Sequence, residues 1–77
     1  MGLNMLQEVA NELKRARKLY PDHPTLEHSA FVLLEEVNEL FVELYKKPSE
    51  RDMTFIRDEA IQVSAMAIRL VEDNIDG

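Results

Sequence analysis

Glu35, Glu36 and Glu39 form a Glu-Glu-x-x-Glu run, and Glu59 and Gln62 repeat the three-residue spacing further along the chain. On an α-helix, residues three apart lie one turn apart, so Glu36 and Glu39 can offer oxygens to a single hard cation. Mg2+ favours such oxygen ligands and keeps waters that a phosphate can displace, and Mn2+ accepts the same kind of donor set. Solvated acidic helices carry the same run without an ion, so the spacing alone leaves both readings open.

Glu59 is harder to assign to a solvated face. On a helical wheel, Val63, Ile56, Leu70, Met66 and Phe55 all lie within roughly 60° of it, which places this carboxylate in the middle of an apolar stripe with Gln62 on its edge. Stripping water from a lone carboxylate costs several kcal/mol unless something replaces the water. Three arrangements meet that cost. Glu59 can be protonated, it can pair with Arg57, Arg69 or a base from a partner chain, or it can share a cation with Glu36 and Glu39. With Glu36 set at zero, Leu40, Leu33, Leu44, Val37, Ala30, Phe41 and Leu34 fall between roughly 40° and 160°. That arc is the expected core face of its helix, with Glu36 and Glu39 on its border and Glu35 further round.

The elements that must position these groups are helices. Pro21-Asp22-His23-Pro24 and Lys47-Pro48-Ser49 break the chain, and the three segments between the breaks lack internal Gly and Pro and are rich in helix formers. The pattern predicts helices over roughly Asn4–Leu19, Leu26–Lys46 and a third from Ser49–Asp52 to near Asn74. Thr25 is the expected N-cap of the second, Lys46 and Lys47 suit its C-terminal end, and Ser49 with Asp52 loosely resembles a capping box. Leu6, Val9, Leu13 and Ala16 mark one buried stripe on the first helix. Short loops imply an antiparallel three-helix chain. The third helix is apolar on both sides, because Ile61, Ser64, Ala65 and Ile68 lie opposite Glu59, so its second side is expected to meet another subunit. Met53 and Met66 read as core filling, and Ser64 has no adjacent base to make it a nucleophile. The cluster Lys14, Arg15, Arg17, Lys18 fits a solvated face, and Lys14 and Arg17 could reach a phosphate if that helix flanks the site. His23 and His28 lack a metal-ligand spacing.

Composition narrows the partners. The 77 residues make one domain, 1–77, whose core is marginal for a single copy. The absence of cysteine excludes disulfides and thiolate metal sites. A net charge of −6 disfavours nucleic acid and anionic lipid. No segment approaches membrane-spanning length, and the N-terminus lacks a basic-then-apolar signal, so a cytoplasmic protein is expected.

From Leu34 to Leu40 the chain resembles the first motif of the MazG-like, all-α NTP pyrophosphatases, written EExxE, and Glu59-Ala60-Ile61-Gln62 stands where the second, ExxD, belongs. The resemblance runs from about Glu27 to Asp73 and is closest to small MazG-like proteins of phages and bacteria. It implies a Mg2+-dependent pyrophosphohydrolase that converts a nucleoside triphosphate to the monophosphate and pyrophosphate by water attack at the α-phosphorus. Carried over by motif, Glu36, Glu39 and Glu59 would be metal ligands, with Gln62 at the fourth position, and Glu35 and Glu36 would serve catalysis, Glu35 as a water-orienting acid. The family builds a four-helix-bundle core from two or more chains, so the resemblance implies a homodimer or homotetramer. Gln62 departs from the motif aspartate. It can offer a neutral oxygen but no charge, and three glutamates leave two magnesium ions with an uncompensated positive charge. The alternative is therefore a helical oligomer that binds nucleotide or metal with weak or no turnover.

Overall fold

The computed structural model describes residues 2–77 and contains three α-helices and, among those residues, no strand. They are α1 (Gly2–Leu19), α2 (Leu26–Leu44) and α3 (Met53–Asn74), with a single 3-10 turn, Pro48–Glu50, between the last two. α3 packs against both of the others. Arg57 near the start of α3 pairs with Glu8 near the start of α1, and Arg17 near the end of α1 pairs with Glu72 and Asp73 near the end of α3, so these two helices run parallel. The end of α2 meets the start of α3 through Glu43 and Asp52, and Ser29 near the start of α2 meets Asn74. α2 is therefore antiparallel to α3. Among the described residues no helix is long and apolar enough to cross a membrane.

The expected capping of α2 is present: the Thr25 hydroxyl accepts from the His28 backbone N–H at 3.0 Å. The helix ends two residues before the expected Lys46. Arg51 reaches back and donates to the carbonyls of Leu44 and Lys46, groups a continuing helix would have used itself. Lys46 and Lys47 thus lie beyond the helix, and Lys46 pairs with Glu43. Ser49 does not cap α3, because Pro48 draws it into the 3-10 turn. Asp52 is itself the N-cap, accepting from Phe55 N–H at 3.1 Å.

The fully buried apolar set is small. Ala16, Ala65 and Met66 form its centre, with Val9, Leu13, Val32 and Leu33 packed around them. Part of the far side of α3 is therefore covered by α1 of the same chain rather than by a second subunit, since Ala65 and Ile61 are buried while Ser64 and Ile68 stay exposed. Leu6 and Met53 are exposed, against the sequence expectation. Both lie near the N-terminal ends of their helices. Ser64 spends its hydroxyl on the Ala60 carbonyl.

Candidate carboxylate site

α2 turns Ser29, Glu36 and Glu43 toward α3. These three are spaced by seven residues and so share one stripe, the spacing that keeps side chains on a single seam. The two ends of the seam are satisfied. Glu43 accepts from the Asp52 backbone N–H and pairs with Lys46, which together hold its carboxyl below the usual range. Ser29 accepts from Asn74 Nδ2 at 2.7 Å and is hydrogen-bonded to His23 Nδ1 at 2.8 Å.

The middle of the seam is different. Glu36 faces Glu59 of α3, and carboxylate oxygens of Glu36, Glu39 and Glu59 all lie within 4.8 Å of one another. Glu59 is 5% exposed. Oε2 of Glu36 and Oε2 of Glu59 are buried and have no hydrogen-bond partner. Three acids have thus been brought together with two bare oxygens where a fold built only for stability would place donors. Burial pushes the Glu59 carboxyl up to about 7, assisted by the one hydrogen bond its protonated form can donate, to Glu36 or to Glu39, and by repulsion from their charges. Burial also raises Glu36, although accepting from Glu59 works the other way.

Neither base offered by the sequence neutralises this cluster. Arg57 lies at the surface with Glu8. Arg69 is 1% exposed and spends its guanidinium on Asp73 and on the carbonyls of Ala16 and Tyr20 at the end of α1. Of the three arrangements open to Glu59, intrachain ion pairing is the one the geometry removes. Glu36 also sits nearer the centre of the contact face than expected. α2 is apolar over a wider arc than one neighbour covers, and α3 packs on the polar edge of that arc.

Two cavities lie between the helices, and the larger reaches one member of the trio, Glu36. One, of about 620 Å3, lies between the end of α1, the Tyr20–Pro24 loop and α2, and reaches Glu35 and Glu36. The other, of about 460 Å3, lies between α1 and α3. Gln62, Glu12 and Arg15 line both. Glu35 is exposed at the rim of the larger cavity, outside the trio. Gln62 is half-buried beside the site, where it offers an amide rather than a charge. Of the basic cluster, Arg15 lines the cavities, whereas Arg17 is tied to Glu72 and Asp73 and Lys14 is exposed elsewhere on α1. His23 and His28 stack edge to face at 5.1 Å in the wall of the larger cavity. Burial and the nearby Arg69 charge lower the pKa of His23. The sequence reading missed Ser29, Glu43 and Glu12, and the seven-residue spacing of the first two with Glu36 was the available signal.

No family model, curated protein or solved structure matches the chain.

Proposed function

We propose that Glu36, Glu39 and Glu59 form a divalent-cation site, occupied by Mg2+ or Mn2+, and that the protein is a MazG-type nucleoside triphosphate pyrophosphohydrolase working as a homo-oligomer. The observation that carries the reading is the convergence of three carboxylates within 4.8 Å with two buried, unpartnered oxygens. All donors are hard carboxylate oxygens, the chemistry that suits Mg2+ rather than a softer metal. A bound cation would neutralise charge on a triphosphate and lower the pKa of a coordinated water. The chain's own contribution is to hold the three acids on two packed helices, to exclude bulk water from Glu59, and to leave Glu35 at the cavity rim, where it can orient a water.

The oligomeric part of the proposal draws on the exposed apolar surface of α2. Leu34 and Phe41 lie on one stripe of that helix, continued by its C-cap Tyr45, away from the stripe that faces α3. A second copy covering it with its own α2 and α3 would complete a four-helix core.

The test is pyrophosphate release from each nucleoside triphosphate in the presence of Mg2+. Release that disappears in Glu36→Ala and in Glu59→Ala is the expected result, and release unaffected by both substitutions sinks the reading. A second reading is favoured by Gln62, whose missing charge weakens the hold on a second cation. On it the chain binds nucleotide with metal but turns it over slowly or not at all. Its signature is thermal stabilisation by nucleotide plus Mg2+ without pyrophosphate.

A further inference from the structure

We propose that Arg15 is the anion-binding side chain of this site and that the ligand it selects is a di- or triphosphate. The proposal rests on the divalent-cation reading above and adds the group that would hold phosphate oxygens beyond the cations.

The chain has nine lysines and arginines, and most of those fixed by the fold are committed elsewhere. Arg17 is held by Glu72 and Asp73, Arg57 by Glu8, Lys46 by Glu43 and Arg51 by two carbonyls of the α2 end; Arg69 lines the larger cavity but is buried and spent on Asp73 and the carbonyls of Ala16 and Tyr20. Arg15 lines both cavities, including the larger one, which also reaches Glu35 and Glu36. Its side chain is 54% exposed, while that of its partner Glu12 is 16% exposed. The pairing is two-pronged: Nε donates to Oε1 of Glu12 at 3.0 Å, and Nη2 donates to Oε2 at 2.6 Å.

That geometry leaves the guanidinium both fixed and usable. Of its five N–H groups, two are engaged by Glu12 and three remain for another acceptor. The carboxylate holds the plane of the fork, so little side-chain freedom is left to lose when an anion docks. A single phosphate saturated by cations has few oxygens to spare. A linear polyphosphate bound at one end has further charged oxygens, and a guanidinium in the same cavity is the complementary donor. Lysine in this place would be a point charge on a mobile stem, without the fork.

The experiment is titration calorimetry on the full chain, first with Mn2+ alone, then with inorganic pyrophosphate and with inorganic phosphate at saturating Mn2+. The proteins are wild type, Arg15→Gln and, as a control for lost surface charge, Lys18→Gln. The expected result is that Arg15→Gln leaves Mn2+ affinity within about twofold and weakens pyrophosphate about tenfold, the loss of a charge-assisted pair of hydrogen bonds. Lys18→Gln keeps wild-type affinity, and wild type binds pyrophosphate more tightly than phosphate. If Mn2+ binds but Arg15→Gln takes pyrophosphate as tightly as wild type, the assignment of Arg15 is wrong and the cation site stands. If Lys18→Gln weakens pyrophosphate as much as Arg15→Gln does, general charge is responsible and the assignment is equally wrong. If wild type does not bind Mn2+ at all, the cation reading fails and takes this one with it. Unchanged Mn2+ binding in Arg15→Gln also reports that the exposed substitution has not disturbed the fold.

Discussion

Glu59 is held among apolar neighbours with its carboxyl pushed up to about 7, against an ordinary value of 4.5, and this has a definite consequence for stability. The folded chain binds a proton in a pH range where the unfolded chain has released it. Stability contributed by that proton is fully present below about 4.5 and is lost as pH rises toward and through 7. In metal-free protein the loss amounts to about 1–3 kcal/mol. His23 works in the opposite direction, because its lowered pKa favours the neutral ring and adds stability as pH rises. The difference between wild type and Glu59→Gln isolates the carboxyl. Urea unfolding in the presence of a chelator, between about pH 5.5 and 8, is expected to show Glu59→Gln gaining on wild type as pH rises. A divalent cation reverses the order, since it stabilises wild type and not the variant. A pH-independent difference would mean that Glu59 is solvated or paired. The sequence made Glu59 legible because one acid among five apolar neighbours on a helical wheel is visible without a structure. What it could not show was which of three remedies the fold uses, since that depended on where Arg57 and Arg69 point.

At the scale of the elements, the site is the unsatisfied centre of a polar seam whose ends are closed. Ser29 is held by Asn74 and His23, and Glu43 by Asp52 and Lys46, so α2 and α3 are pinned above and below Glu36. Asp52 contributes twice, its backbone N–H donating to Glu43 and its side chain capping α3. Asp52→Ala is therefore expected to cost about 1 kcal/mol, and Ser49→Ala a few tenths at most, both read by thermal unfolding. The reverse order would restore Ser49 as the cap. The sequence identified both residues but not their division of labour, because a proline one residue before Ser49 shifts the start of the helix by a turn. Arg69 fastens α1 to α3 by bridging Asp73 and the last carbonyls of α1. Arg69→Met leaves those carbonyls without their donor and Asp73 with Arg17 as its remaining partner, and is expected to cost about 2–3 kcal/mol in denaturant unfolding. The spans of α1 and α2 were legible to within two residues because prolines punctuate the chain. The orientation of α2 was not, because its apolar arc offers more than one way to face a single neighbour.

For the whole molecule, the surplus of that arc is the informative quantity. A single chain fully buries only Ala16, Ile61, Ala65 and Met66 among the described apolar residues, with Val9, Leu13, Val32 and Leu33 partly buried around them, while Phe31, Leu34, Phe41 and Val42 of α2 and its C-cap Tyr45 stay open to solvent. Self-association through the proposed α2 surface makes stability depend on protein concentration, since folding and assembly are then one equilibrium. Leu34→Glu and Phe41→Glu place a charge on the stripe that a second copy would cover. Each is expected to lower the mass seen by sedimentation equilibrium to that of one chain and to remove the rise of the melting temperature with concentration. Leu6→Glu, on an exposed position of α1, is the control and keeps the oligomer. The carboxylates lie between α2 and α3 of one chain, so a monomeric variant that stays helical should still bind Mn2+, though more weakly because the helices that carry the ligands are less firmly held. Loss of the oligomer in Leu6→Glu alone would move the interface to α1. A wild-type chain that sediments as a monomer at all concentrations would remove the four-helix core from the proposal while leaving the three glutamates where they are.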